Sequence, residues 1–196
     1  MSEGLIFVLI SGGMIVFFLL LFIGAIFVHR RKTARRAREL QDLAIKHGLS
    51  YIGNDDSFLA SYRHLRTLQD DGFASWANDL LSGEIGEAKV HLFDAAYCTS
   101  GGGSPGRFVH YTMCIIEHGD LGPFKVSLMN TDQRMDASEE NSEQSRRVQQ
   151  ALSDWNRIHR AKLQAEADKG VLLLSIRKRL STSQCAELLG LAQGIL

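Results

Sequence analysis

The chain has 196 residues, 22 of them basic and 22 acidic, and 45% of its residues are hydrophobic. At roughly 150 residues per domain this length allows one globular domain with some chain to spare, and the composition is too apolar for a disordered chain and too balanced for a polytopic transporter. The neutral sum conceals a segregation: Arg30, Arg31, Lys32, Arg35, Arg36 and Arg38 cluster, and with these and Glu3 set aside, 16 basic residues face 21 acidic ones from position 39 onward. That body, near −5, excludes a generally basic surface and predicts no nucleic-acid partner.

Positions 5–28, LIFVLISGGMIVFFLLLFIGAIFV, contain 24 residues without a charge. At about 1.5 Å per residue such a helix reaches about 36 Å, enough to cross a hydrocarbon core of about 30 Å. The pattern predicts one transmembrane anchor over 1–28. No Lys or Arg precedes it and six basic residues follow, so the N-terminus is expected outside and the rest in the cytoplasm. A cleaved signal peptide would want a basic leader, a shorter apolar stretch and a small-residue cleavage site, none of which is present. Gly13 and Gly24 lie nearly on one helical face and form a candidate helix-packing stripe. The six basic residues are candidate contacts to anionic headgroups, each contributing up to about 1 kcal/mol beside anionic lipid.

Residues 29–48 read as a basic juxtamembrane helix in which Ala37, Leu40, Leu43 and Ala44 recur at three- and four-residue spacing and Gly48 supplies the stop. SYIG at 50–53 is open between a strand and an extended link. Asp55 and Asp56 are expected to cap a second helix with Phe58, Leu59, Tyr62, Leu65 and Leu68 on one face. From Phe73 the pattern becomes that of an antiparallel meander: FASWANDLLSGEIG, AKVHLFDAAYC, RFVHYTMCIIE and FKVSLMN, with Gly, Asp or Pro between them. Val109, Tyr111, Met113 and Ile115 alternate with His110, Thr112, Cys114 and Ile116, so the central strands are expected to be covered on both faces. Residues 130–141 read as a polar surface connection. Val148, Leu152, Trp155 and either Ile158 or His159 mark a helix. KLQAEA, DKG and VLLLSIRKR suggest a hairpin turning at Gly170, with a helix through Ala167 as the rival. Ser181 and Gln184 match a capping box opening a last helix faced by Cys185, Leu188, Leu189, Ala192 and Leu196. The soluble α+β domain is thus expected over 49–196.

The order of a single span, a basic helix, GLSY at 48–51, LFDAAYCTSGGG at 92–103, LGPFKV at 121–126 and a terminal VLLLSIRKR resembles a group of uncharacterised bacterial single-pass membrane proteins. In these an F-D-x-x-Y strand runs into T-x-G-x-G. The resemblance implies a bacterial origin and an α+β domain, and it implies no activity.

Each catalytic pattern fails at a named residue. Gly102-Gly103-Ser104-Pro105-Gly106 satisfies G-x-S-x-G, but the oxyanion-hole amide would come from Pro105, which has no N–H, and the flanks read as strands. The same loop with Arg107 could nest an anion, yet no G-K-S or G-K-T follows. His91, His110 and His118 would need neighbouring strands to converge on a metal, and no metal or other cofactor is expected. Asp94, flanked by Phe93 and Ala95, demands a hydrogen bond, expected from a loop amide; its use as an acid or base with His91 or His110 is the enzymatic alternative. Cys98, Cys114 and Cys185 form no C-x-x-C and read as buried small hydrophobes in a reducing compartment, although Cys98 and Cys114 could face one another across a hairpin. The expectation is a non-catalytic accessory or interaction protein, anchored by one helix, docking onto an integral-membrane protein complex such as a respiratory or photosynthetic one. A lipid- or small-molecule-binding domain is the alternative.

Overall fold

The computed structural model describes residues 3–69, 76–99, 107–119, 124–127, 143–159 and 162–195. Helix α1 spans Glu3–Lys46 without a break, and the chain divides into two compact units, Met1–Glu39 and Leu40–Leu196. In the first unit every described apolar side chain from Phe17 to Phe22 is exposed. Among the described residues no helix is long and apolar enough to cross a membrane, so the structure does not show the transmembrane anchor expected over 1–28.

The second unit is α+β. Its boundary falls inside the stretch read as a juxtamembrane helix, because Leu40, Leu43 and Ala44 already belong to the core. Gly48, at φ +70°, ends α1 as expected: its N–H donates to Ile45 O at 3.2 Å and that of Leu49 to Ala44 O at 2.8 Å, satisfying two carbonyls the helix leaves open. Seven strands follow: β1 (Ser50–Asp55), β2 (Ala77–Ile85), β3 (Ala88–Thr99), β4 (Arg107–Glu117), β5 (Phe124–Ser127), β6 (Leu163–Asp168) and β7 (Val171–Ile176). Helix α2 (Glu143–His159) precedes β6, and α3 (Thr182–Ile195) follows β7. SYIG is therefore strand, and the rival helix through Ala167 is not formed. Lys169 and Gly170 both take positive φ, which is the tight hairpin turn whose twist matches its strands.

All pairings are antiparallel, but the order β1-β2-β3-β4-β7-β6-β5 is not one meander. The chain leaves β4, crosses to the far edge as β5 and returns, so that β7 closes against β4. The apolar character of VLLLSI on both faces suits that interior place.

One face is covered by the end of α1, by α2 through Val148, Leu152 and Trp155, and by α3 through Cys185, Leu188, Leu189 and Ala192. His159 completes the α2 stripe and Ile158 is exposed. Ile195 is buried at the end of α3, where Leu196 was expected; Leu196 lies outside the described residues. The capping box forms, with Ser181 N donating to Gln184 Oε1 at 3.1 Å and Gln184 N to Ser181 Oγ at 3.3 Å.

The other face corrects the expected second helix. Residues 57–69 form a strap of two short 3-10 turns, Phe58–Tyr62 and Arg66–Leu68. Leu65 between them is extended, at ψ 127°. Leu59, Tyr62, Leu65 and Leu68 are buried at an exact three-residue repeat, the period of a 3-10 helix, and pack on Leu80, Phe93, Met113 and Leu173. Asp55 does not cap a helix; its Oδ1 accepts from Ser57 N at 2.9 Å and closes a turn. Glu166, on the strap side of β6, accepts from Arg66 N at 2.6 Å and Thr67 N at 2.9 Å, holding the second turn down.

Candidate functional site

The basic strip lies on α1 within the first unit. Arg30, Arg31, Lys32, Arg35 and Arg38 are exposed and Arg36 is half-buried. Arg35 Nε meets Glu39 Oε1 at 2.8 Å, an exposed pair that subtracts one charge from the strip and stabilises little. Of the candidate helix-packing glycines, a side chain added at Gly24 would meet nothing of its own chain within 4 Å. The surroundings of Gly13 lie outside the described residues.

Asp94 is the centre of a buried polar cluster. It projects from β3 on the helix-covered face, by alternation with Val90 and Leu92, and is only 5% exposed. A carboxylate so placed needs donors for both oxygens. Thr112 Oγ1 donates to Oδ1 at 2.6 Å, and Arg179 Nε donates to Oδ2 at 2.6 Å. The same guanidinium donates through Nη2 to Asp79 Oδ2 at 2.8 Å, while the Tyr51 hydroxyl donates to Asp79 Oδ1 at 2.9 Å. The planar fork of arginine fits this two-carboxylate task, which the point charge of a lysine would not.

The backbone is bent to build it. Asp79 has φ +52° and sits where the β2–β3 register slips between Asn78 and Leu81, so a bulge aims its side chain at Arg179. Thr112 also accepts from Leu180 N at 3.0 Å, and its own N–H donates to Lys178 O at 3.1 Å. The link from β7 to α3 is thereby tied to β4. Asp94 thus bonds the side chains of Thr112 and Arg179, and a second carboxylate, Asp79, shares its site. Both oxygens of Asp94 are engaged, which suits a clamp.

The histidines do not assemble with it. His91 is three residues from Asp94 on an unbroken strand and points to the strap face. His110 shares the face of Asp94, is exposed and stands opposite Ala96. His118 lies beyond the end of β4. Among the described residues no group of three His, Cys, Asp or Glu side chains could hold a metal ion.

His91 instead forms a second cluster, with Tyr62 and Glu117. It is 7% exposed, with ring centroids 5.1 Å from Phe58 and 6.2 Å from Tyr62. Tyr62 Oη donates to Glu117 Oε1 at 2.5 Å, and His91 Nε2 lies 3.4 Å from that same oxygen without hydrogen-bond geometry. Burial holds the imidazole below its usual pKa, outweighing the opposing pull of Glu117, with Lys89 adding to the depression. Burial and Glu117 together push the Tyr62 hydroxyl above its usual range.

No protein-family model, curated protein or solved structure matches the chain. A functional reading therefore rests on these side chains.

Cys98 stands opposite Phe108 and Cys114 opposite Leu92, so the two cysteines do not face each other, and none of Cys98, Cys114 and Cys185 is in a disulfide. Burial pushes the Cys114 thiol up to about 12, the mark of an inert core sulfhydryl. Ser104 and the glycines around it lie outside the described residues, as does the 130–141 connection. Thr99 pairs with Arg107 across that loop, so its flanks are two antiparallel strands and not the strand-to-helix turn a nucleophile elbow needs.

Proposed function

We propose that the chain is a non-catalytic accessory protein, held in the bacterial inner membrane by the uncharged run of α1 and docking its cytoplasmic α+β domain onto a larger integral-membrane complex. The observation that carries the reading is the row Phe17, Phe18, Leu19, Leu20, Leu21, Phe22 and Ile23, seven consecutive large apolar side chains all exposed. Successive helical residues point about 100° apart, so this row is apolar in every direction. An amphipathic helix packing on its own domain would keep one polar face; only a surrounding as apolar as lipid matches such a helix on all sides. The basic strip then supports the N-out orientation and adds attraction to anionic headgroups. The accessory role is supported by the polar clusters of the domain, whose carboxylates are committed to arginine, tyrosine, threonine and backbone partners.

The test is made on the whole chain in bacterial cells. It is expected to stay in the membrane fraction through alkaline carbonate, and a reporter active only in the periplasm, fused after Leu196, is expected to be silent. Release by carbonate would overturn the anchor, and strong reporter activity would reverse the topology. Native mass spectrometry after gentle extraction is expected to show a protein partner; a bound lipid without one would favour a lipid-binding domain.

A further inference from the structure

The strap at 57–69 is attached to the sheet at two polar points of different kinds. At its second turn Glu166 accepts two backbone N–H groups and the Thr67 hydroxyl. At its first turn Tyr62 Oη donates to Glu117 Oε1, and the oxygen that receives it is the one His91 Nε2 faces at 3.4 Å. Both side chains thus face one carboxylate oxygen, and neither ring nitrogen of His91 has a hydrogen-bond partner. Phe58, on the same turn, packs edge-on against both His91 and Phe93.

We propose that His91, Glu117 and Tyr62 form a proton-operated latch on this strap: protonation of His91 draws the Glu117 carboxylate to the imidazolium, frees Tyr62 and lets the first turn lift from the sheet. The proton on His91 changes what this site must hold. With neutral His91, Tyr62 holds the carboxylate and the imidazole is sandwiched among rings. With a proton on His91, a charge stands in a site that is 7% exposed, and that site cannot keep it without either the carboxylate or water. Turning the carboxylate from its present 3.4 Å approach into a hydrogen bond with His91 loosens its bond from Tyr62, and admitting water lifts the turn.

The groups facing His91 are few. Glu117 comes from β4, Tyr62 from the strap, with His64 beyond it at 6.5 Å between ring centroids, and Lys89 from the same strand. Ser82 opposite it on β2 and Ile115 on β4 carry no charge. The sign follows from burial. The closed strap lowers the affinity of His91 for its proton, so by linkage acid favours the open strap, and the effect is absent well above the ordinary histidine pKa of about 6.5.

The full chain in detergent micelles, with labelled histidine, provides the test by nuclear magnetic resonance. As pH falls through 6, hydrogen-exchange protection of the 3-10 amides of Ala60 and Leu65 is expected to fall by up to about tenfold per unit, after correction for intrinsic exchange, while amides of β3 and β4 keep theirs. Tyr62→Phe removes the competitor for Glu117 and is expected to raise the His91 midpoint; Glu117→Gln is expected to lower it. His91→Gln is expected to abolish the pH dependence of strap protection. If Tyr62→Phe leaves the midpoint where it was, or if strap and sheet lose protection together, the latch is refuted. Should Glu117→Gln fail to fold, the Tyr62→Phe and exchange results decide alone.

Discussion

Arg179 has a half-exposed side chain and yet holds two carboxylates that water scarcely reaches. Removing it takes from Asp79 and Asp94, two buried neighbouring carboxylates, the guanidinium that binds both, a loss for which about 3 kcal/mol is a fair scale, at the lower end of buried pairs because the guanidinium is partly hydrated. Arg179→Gln is therefore expected to lower the urea unfolding free energy by about that amount, and Arg179→Lys to recover only part of it, since an ammonium cannot fork between two acids. A loss under about 1 kcal/mol would show that the clamp is a surface ornament. The need of Asp94 for a partner was legible, because an acid between Phe93 and Ala95 in an apolar strand has no other way to be buried. The partner was not: Arg179 lies 85 residues further on, and nothing in the order of residues marks Asp79 as left-handed.

At the scale of elements, local signals were read well where local chemistry decides the outcome. The capping box at Ser181, the stop at Gly48 and the turn at Gly170 depend on backbone needs confined to a few residues. The strap was misread although its period was in plain view: Leu59, Tyr62, Leu65 and Leu68 are spaced by three, whereas an α-helix drifts off one face at that spacing. Sheet order was illegible, because nothing local distinguishes the next strand in sequence from one that begins only at Val171, well after β4 has ended at Glu117. Gly83 shows how tightly these elements meet. A Cβ there would lie 2.9 Å from Leu49 Cδ2 and 3.1 Å from Leu49 Cα, where the chain leaves α1 for β1. Gly83→Ala is expected to cost about 1–3 kcal/mol, with a matching fall in the thermal midpoint. Gly24→Ala, whose added Cβ would find open space, is expected to leave the midpoint unchanged.

For the whole molecule, charge is divided as sharply as hydrophobicity. Fragments starting at His29 and at Leu40 differ by the entire basic strip, so the first is expected to bind anionic vesicles weakly and to release them as salt shortens the screening length from about 8 Å, and the second not to bind. Equal cosedimentation of both fragments would locate membrane affinity in the domain itself. The strand order has a different consequence, for the way the chain is made. Synthesis delivers β1 to β4 as a contiguous four-stranded half, but the hydrogen-bonding edge of β4 is filled only by β7, which begins at Val171. Until then Met113 to Ile116 present an apolar, unpaired edge, the kind of template on which nascent chains associate. Folding of this domain is thus tied to the arrival of β7. Chains cut short before β7 would be hazards in themselves, and the interval before release from the ribosome is when a chaperone would matter most.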